Sequence, residues 1–348
     1  MKQVRAAAFS ALVVLGAIGV STSAHEGSEA SVGGTMWAAN RGTNDIAGFD
    51  ADTGALVGKI AMASASEPGD LTYARGKLYV AEESGAAPSI AVVDLSTRTV
   101  KTRVVFPVGS RPHHVHASES GALVSVGLYG TDTVGVIDTV SDTLIGQWDS
   151  NPATTNGRAH AAVFSDDESA LYIASDASNE VTAIDARTGA FFWSLNVPAA
   201  HELAVTRDQK WLFVTRRTAN RIALVRLKND PTVQPSGFTD VLALGLPDSL
   251  QLAAHDTLLT IGLRTRPAQL AVVDLHKFAV TIVNLTAVSE LSVAGHQWTS
   301  PGGRYTFVTW EGGTGSNQGI AVVDHEANNQ VVRTMSYPGR PHGIDRAP

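Results

Sequence analysis

The segment Arg111–His116 reads RPHHVH, and shortened versions recur along the chain: RAHAA at 158–162, AHELA at 200–204, GHQW at 295–298 and RPHGI at 340–344. Superposed on each other and on EPGDL and LPDSL, they bring Gly69, His113, His160, His201, Asp248 and His342 into one register. His296 falls at that place or one residue later. Five of seven repeats thus carry a histidine there, in a chain that has eleven. The neighbouring position adds Asp70, His114 and Glu202.

Neutral imidazoles gathered this way can ligate a metal, pass protons near neutral pH, or hydrogen-bond a ligand or trapped water. With carboxylates nearby and no sulfur, they suit Zn, Cu, Fe or Ni better than a thiophilic ion. The expected cofactor is a transition metal (Cu, Zn or Fe), and the candidate ligands are His113, His114, His160, His201, His296, His342, Glu202 and Asp248. A single inward histidine is most often satisfied by water or a carbonyl; five in register make a candidate site.

Arg111, Arg158 and Arg340 each stand two residues before one of these histidines, the strand period that puts both on one face. Arg217, Arg264, Glu82 and Asp176, with Arg41 and Glu83, belong to segments that return to the same rim. Arg111, Arg158, Arg340, Arg217, Arg264, Glu82 and Asp176 are therefore candidate ligand-binding residues. Guanidinium groups there fit an anion such as a carboxylate or phosphate, although ion pairs between neighbouring repeats would use the same residues.

The elements that must hold these residues are short strands. IAGFDADTG, IAVVDLSTR, VGVIDTVSD, VTAIDARTG, IALVRLKND, LAVVDLHKF and IAVVDHEAN each run as an apolar strand into a turn. The turn position is Asp50, Asp94, Asp138, Asp185, Arg226, Asp274 and Asp324, at spacings of 44, 44, 47, 41, 48 and 50. An Asp there accepts hydrogen bonds from the backbone N–H groups of the turn, so these acids read as structural. Two further strands precede each copy and one follows it, and four short strands per 40 to 50 residues is the pattern of an all-β, seven-bladed β-propeller. TMWAAN opens the first copy without an inner strand before it, while RPHGIDRAP at 340–348 opens a repeat and stops. The C-terminal strand is expected to complete the first blade and close the ring, removing exposed sheet edges.

Seven inner strands that start at one rim of a central channel would place the register of histidines around the axis. LYVAEE at 78–83, LYIASD at 171–176 and VID at 136–138 resemble the YVTN family of lactonase-like propellers over essentially the whole chain after residue 34. That resemblance implies the propeller fold and leaves the activity open. The ring is also similar in arrangement to the propeller domain of nitrous oxide reductase, where histidines from seven blades hold copper. Gly69 and Asp248 interrupt it here, and a cysteine-bearing copper domain has no counterpart in a chain with no cysteine.

Composition limits the remaining choices. The chain has 348 residues, is 44% hydrophobic, and carries a net charge of −7. That gives no general attraction for nucleic acid. Without cysteine there is no disulfide framework and no attachment site for haem c, and no nucleotide-binding fingerprint occurs in a strand-to-helix context. Lys2 and Arg5, the apolar run 6–20 and the small residues Thr22 and Ala24 read as a signal peptide over 1–24. Residues 25–34 are then expected as a flexible tail before the propeller at 35–348, and the location as periplasmic or secreted. Cleavage after Ala24 would leave His25 as an α-amine and imidazole pair able to chelate copper. No later stretch is long enough to span a membrane. The expected function is an exported propeller that carries or uses a transition metal; the alternatives are a metal-free binding module for a protein or anionic ligand, and a metal-assisted lactone or ester hydrolase. The expected partners are the metal ion and an anionic small molecule or protein.

Overall fold

The acidic turns close hairpins as the repeat predicts. Asp50, Asp138 and Asp185 accept the backbone N–H of Thr53, Ser141 and Thr188 at 2.7, 2.8 and 2.8 Å, and Asp94, Asp274 and Asp324 serve their own turns in the same way. Arg226 has no such role; its guanidinium stacks 5.7 Å from the ring of Trp211, its cross-strand neighbour. The structure is a computed structural model that describes residues 31–84, 87–154, 157–277, 279–285, 292–312 and 318–348. The expected signal at 1–24 and His25 lie outside the described residues.

Seven four-stranded antiparallel sheets form the blades of a β-propeller. Their inner strands are Pro341–Ala347 for blade one, then Pro68–Ala74, Pro112–Ala117, Ala159–Phe164, Ala200–Val205, Pro247–Ala253 and Ser292–Thr299 for blades two to seven. Blade one is completed by the chain's end, with Thr35 opposite Ala347 and Trp37 opposite Asp345. Residues 31–34, expected in the tail, are instead tied down. Val32 N–H donates to Asp52 at 2.8 Å, and the Gly33 carbonyl accepts from Arg346 at 2.8 Å.

The core lies between blades. Tyr79, Val92, Val104 and Phe106 of blade two pack on Val115, Val126, Leu128 and Ile137 of blade three, and each fully buried side chain of this size contributes about 1.5–3 kcal/mol. Because these layers stand away from the axis, the channel is free to carry polar residues. No helix among the described residues is long and apolar enough to cross a membrane.

Candidate metal centre

Two backbone irregularities recur where the inner strands begin, the first shown in six blades and the second in all seven. Glu67, Arg111, Arg158, Ala199, Leu246 and Arg340 take φ of 48°, 49°, 59°, 65°, 43° and 98°, a left-handed region that costs an L-residue about 1–2 kcal/mol. Immediately afterwards the register slips in every blade. The slip lies between Pro68 and Asp70, Pro112 and Val115, Ala159 and Ala161, Ala200 and Leu203, Pro247 and Leu250, Ala294 and Gln297, and Pro341 and Ile344. These are β-bulges, which re-aim side chains and are common beside functional sites. They free successive residues from strict alternation, so that His113 and His114 both line the axial cavity. His296 occupies the second place of its bulge, after Gly295.

Glycines make room for groups of the same or the next blade. A Cβ at Gly69 would collide with the Glu83 carboxylate, one at Gly343 with the Asp70 carboxylate, and one at Gly295 would stand 3.0 Å from His342 Nδ1. Gly127, opposite the blade-three bulge, lets the carbonyl of His160 approach. The gap at Gly69 is thus filled by an acid, and Glu83 accepts from His113 Nδ1 at 3.0 Å while paired with Arg41.

His113, His114 and His160 offer ligand atoms that all lie within 4.8 Å of one another. Each holds its Nδ1 toward an acceptor: His113 toward Glu83 at 3.0 Å, His114 toward Asp70 at 3.3 Å, and His160 toward the His201 carbonyl at 2.9 Å. Burial opposes ionisation of Glu83, yet His113 and Arg41 outweigh it and hold the carboxyl at about 2. Asp70 is likewise held well below the usual range, against its burial, by His296 and His114. Both carboxylates can only accept, so the histidines donate from Nδ1 and carry no proton on Nε2, which in His114 faces Glu202 Oε1 at 3.2 Å. A metal-binding imidazole is normally oriented this way. Burial and neighbouring cations push His114 and His160 well below 6.5, which keeps them unprotonated at neutral pH. Zn–N bonds of about 2.0–2.1 Å in a tetrahedron put ligands roughly 3.3–3.4 Å apart.

A second group, Asp70, His114 and His296, shares His114 with the first. Asp70 Oδ1 lies 3.2 Å from His296 Nδ1. Glu202 stands between the groups, with Oε1 3.2 Å from His114 Nε2 and 3.4 Å from His160 Nδ1, and burial pushes its carboxyl up to about 8.

The other candidate ligands are engaged elsewhere or stand apart. His201 Nε2 meets Asp248 Oδ1 at 2.9 Å, and Arg217 and Arg264 reach Asp248 at 2.9 and 3.5 Å. Both Asp248 oxygens are therefore paired with His201 and the two arginines, and Asp248 belongs to neither group of potential ligands among the described residues. His342 lines the same cavity, and its Nδ1 is buried without a hydrogen-bond partner.

Above the histidines opens a cavity of about 590 Å³ whose lining includes Arg41, Arg217, Arg264 and Arg266. Of the candidate ligand-binding residues, Arg217 and Arg264 belong to it. Arg111 and Arg158 do not line it, because the left-handed turn and the bulge break the two-residue period; both stack 5.4 Å from the Tyr129 ring. Asp176 accepts from the Tyr129 hydroxyl at 3.1 Å, and that ring lies 5.2 Å from His113. Arg340 is 3.5 Å from Glu311 at the rim. Glu82 ends a strand and turns away from the axis to Arg103 and Ser89, at 2.8 and 2.7 Å, so it is structural and its neighbour Glu83 is the acid at the site. Asp70, Glu83 and Arg266 do more here than sequence reasoning assigned them. The signal for Glu83 was the glycine across from it at the ring position.

Residues 35–235, more than half the chain, match the YNCE-like beta-propeller family. No curated protein matches the sequence. Among solved structures, the periplasmic gluconolactonase PpgL of Pseudomonas aeruginosa superposes with a TM-score of 0.67 at 17% identity, covering 90% of this chain and 99% of that one. A putative 6-phosphogluconolactonase of Bacteroides fragilis gives 0.62 at 14% identity, covering 93% and 100%. Hydrazine synthase of Kuenenia stuttgartiensis gives 0.61 at 14% identity, covering 75% and 78%. Identities this low establish a common fold and leave the chemistry to the site.

Proposed function

The chain belongs to the YNCE-like beta-propeller family, a fold without a fixed chemistry, and from the axial geometry we propose that it is a metal-binding propeller whose upper site is formed by His113, His114 and His160. The observation that carries this reading is the set of three Nδ1 atoms each held by an acceptor on Glu83, Asp70 or His201. A bound transition metal would supply Lewis acidity at the channel floor. The protein's own groups do the rest. Glu83, Asp70 and the His201 carbonyl fix ring orientation, and the arginines of the cavity draw an anionic ligand toward the open side.

A periplasmic or secreted location fits the composition of residues 1–24 and the periplasmic gluconolactonase of the same fold. The propeller body is taken as 35–348. Tag-free protein should retain at least one equivalent of Zn(II) or Cu(II) in equilibrium dialysis at about micromolar free metal. The variant His113→Ala/His114→Ala/His160→Ala should lose it while keeping the β-sheet circular dichroism of the parent. Equal retention by the folded variant would refute the site. Binding of an anion by a metal-free parent would favour the metal-free module instead.

A further inference from the structure

We infer that the axis holds a second metal ion directly below the first, bound by Asp70 and His296 and joined to the upper site through the imidazole of His114. This rests on the reading above and adds a dinuclear arrangement to it. His114 belongs to both ligand groups, and its two nitrogens face different ways: Nδ1 lies 3.3 Å from Asp70 Oδ2, and Nε2 lies 3.2 Å from Glu202 Oε1. The upper site takes Nε2. The lower site takes Nδ1 with Asp70 and His296.

The spacing of the lower group fits a metal. Asp70 spans both rings, with Oδ2 3.3 Å from His114 Nδ1 and Oδ1 3.2 Å from His296 Nδ1, and one ligand atom from each of the three residues lies within 4.8 Å of the other two. Gly343 leaves the room that this placement of Asp70 needs. Beneath lies a separate cavity of about 210 Å³, lined by Asp70, Glu202 and His296 and by the polar side chains of Thr72, Gln251 and Gln297. It offers space and hydrogen-bond partners for the water that would complete the lower ion's coordination. Filling both sites replaces the His114 Nδ1–H bond with a second metal bond, so one proton leaves the imidazole for solvent and Asp70 turns from hydrogen-bond acceptor into ligand.

The experiment loads tag-free protein with Cu(II), removes loosely held metal with a weak chelator, and measures copper per chain with the electron paramagnetic resonance intensity. Two equivalents are expected, with a signal well below that of two isolated ions because the bridge couples them. His296→Ala should hold one equivalent whose signal accounts for all the copper. One equivalent in the parent, unchanged in His296→Ala, would overturn the second site while leaving the upper one standing. Two equivalents with full, uncoupled intensity would overturn the bridge, and no retained metal would overturn both readings. His296→Gln serves as the second variant should alanine unfold the chain, and circular dichroism reports folding throughout.

Discussion

At the residue scale, the proposed metal site makes Glu83 a positioning residue that acts through His113. Glu83→Gln should weaken metal binding about 10- to 100-fold, the usual effect of losing such a partner, and should have no further effect in a His113→Ala background. Equal losses in both backgrounds, measured by competition with a chelator, would show that Glu83 acts by another route. Protonation gives a second check. Burial holds His114 and His160 well below 6.5, so both resist protonation as the pH falls. Two ordinary imidazoles would together cost about fifteenfold in affinity between pH 7.5 and 6, and a smaller loss is expected here. Glu202 works in the opposite direction. Burial raises it from 4.5 to about 8, so its contribution to stability is full below pH 4.5 and is lost as pH rises through 8. Glu202→Gln, which mimics the protonated acid, should raise the melting temperature of metal-free protein at pH 8.5 and flatten its decline from pH 6. A lower melting temperature at pH 8.5 would contradict the assignment.

At the scale of the element, the inner strand does the positioning, and this is where sequence and structure part. The histidine register was legible because the repeat is long and copied seven times, and the turn acids were legible because their chemistry is local. The bulges were not. An extra residue in a strand leaves no mark on composition, so the two-residue period that seemed to aim Arg111 and Arg158 at the axis instead leaves them against Tyr129. For the same reason the sequence could not decide whether His296 or Gly295 holds the ring position. Gly127 tests the bulge directly, since a methyl group there collides with the backbone of the next blade. Gly127→Ala should cost about 1–3 kcal/mol, as overpacking does, and should weaken metal binding by displacing His160. Unchanged stability in urea and unchanged affinity would mean that the approach of the blades is not needed.

At the scale of the molecule, a ring closed by its own C-terminal strand holds the site without helping to form the chemistry. Deleting residues 340–348 removes the strand paired with Thr35–Asn40 and opens the sheet edge, so the melting temperature should fall by more than about 10 °C; a truncated chain that melts like the parent would refute closure as the clamp. The core between blades makes no use of His113, His114 or His160, so the proposed metal binding is separable from folding. That separation, and the site itself, are tested most directly by anomalous X-ray diffraction on tag-free crystals soaked with Zn(II) and recorded on both sides of the zinc edge. A peak is expected on the axis about 2.0–2.1 Å from the Nε2 atoms of His113, His114 and His160, absent from the triple alanine variant in an otherwise unchanged propeller. No anomalous peak within bonding distance of these three histidines at saturating zinc would contradict the proposed site.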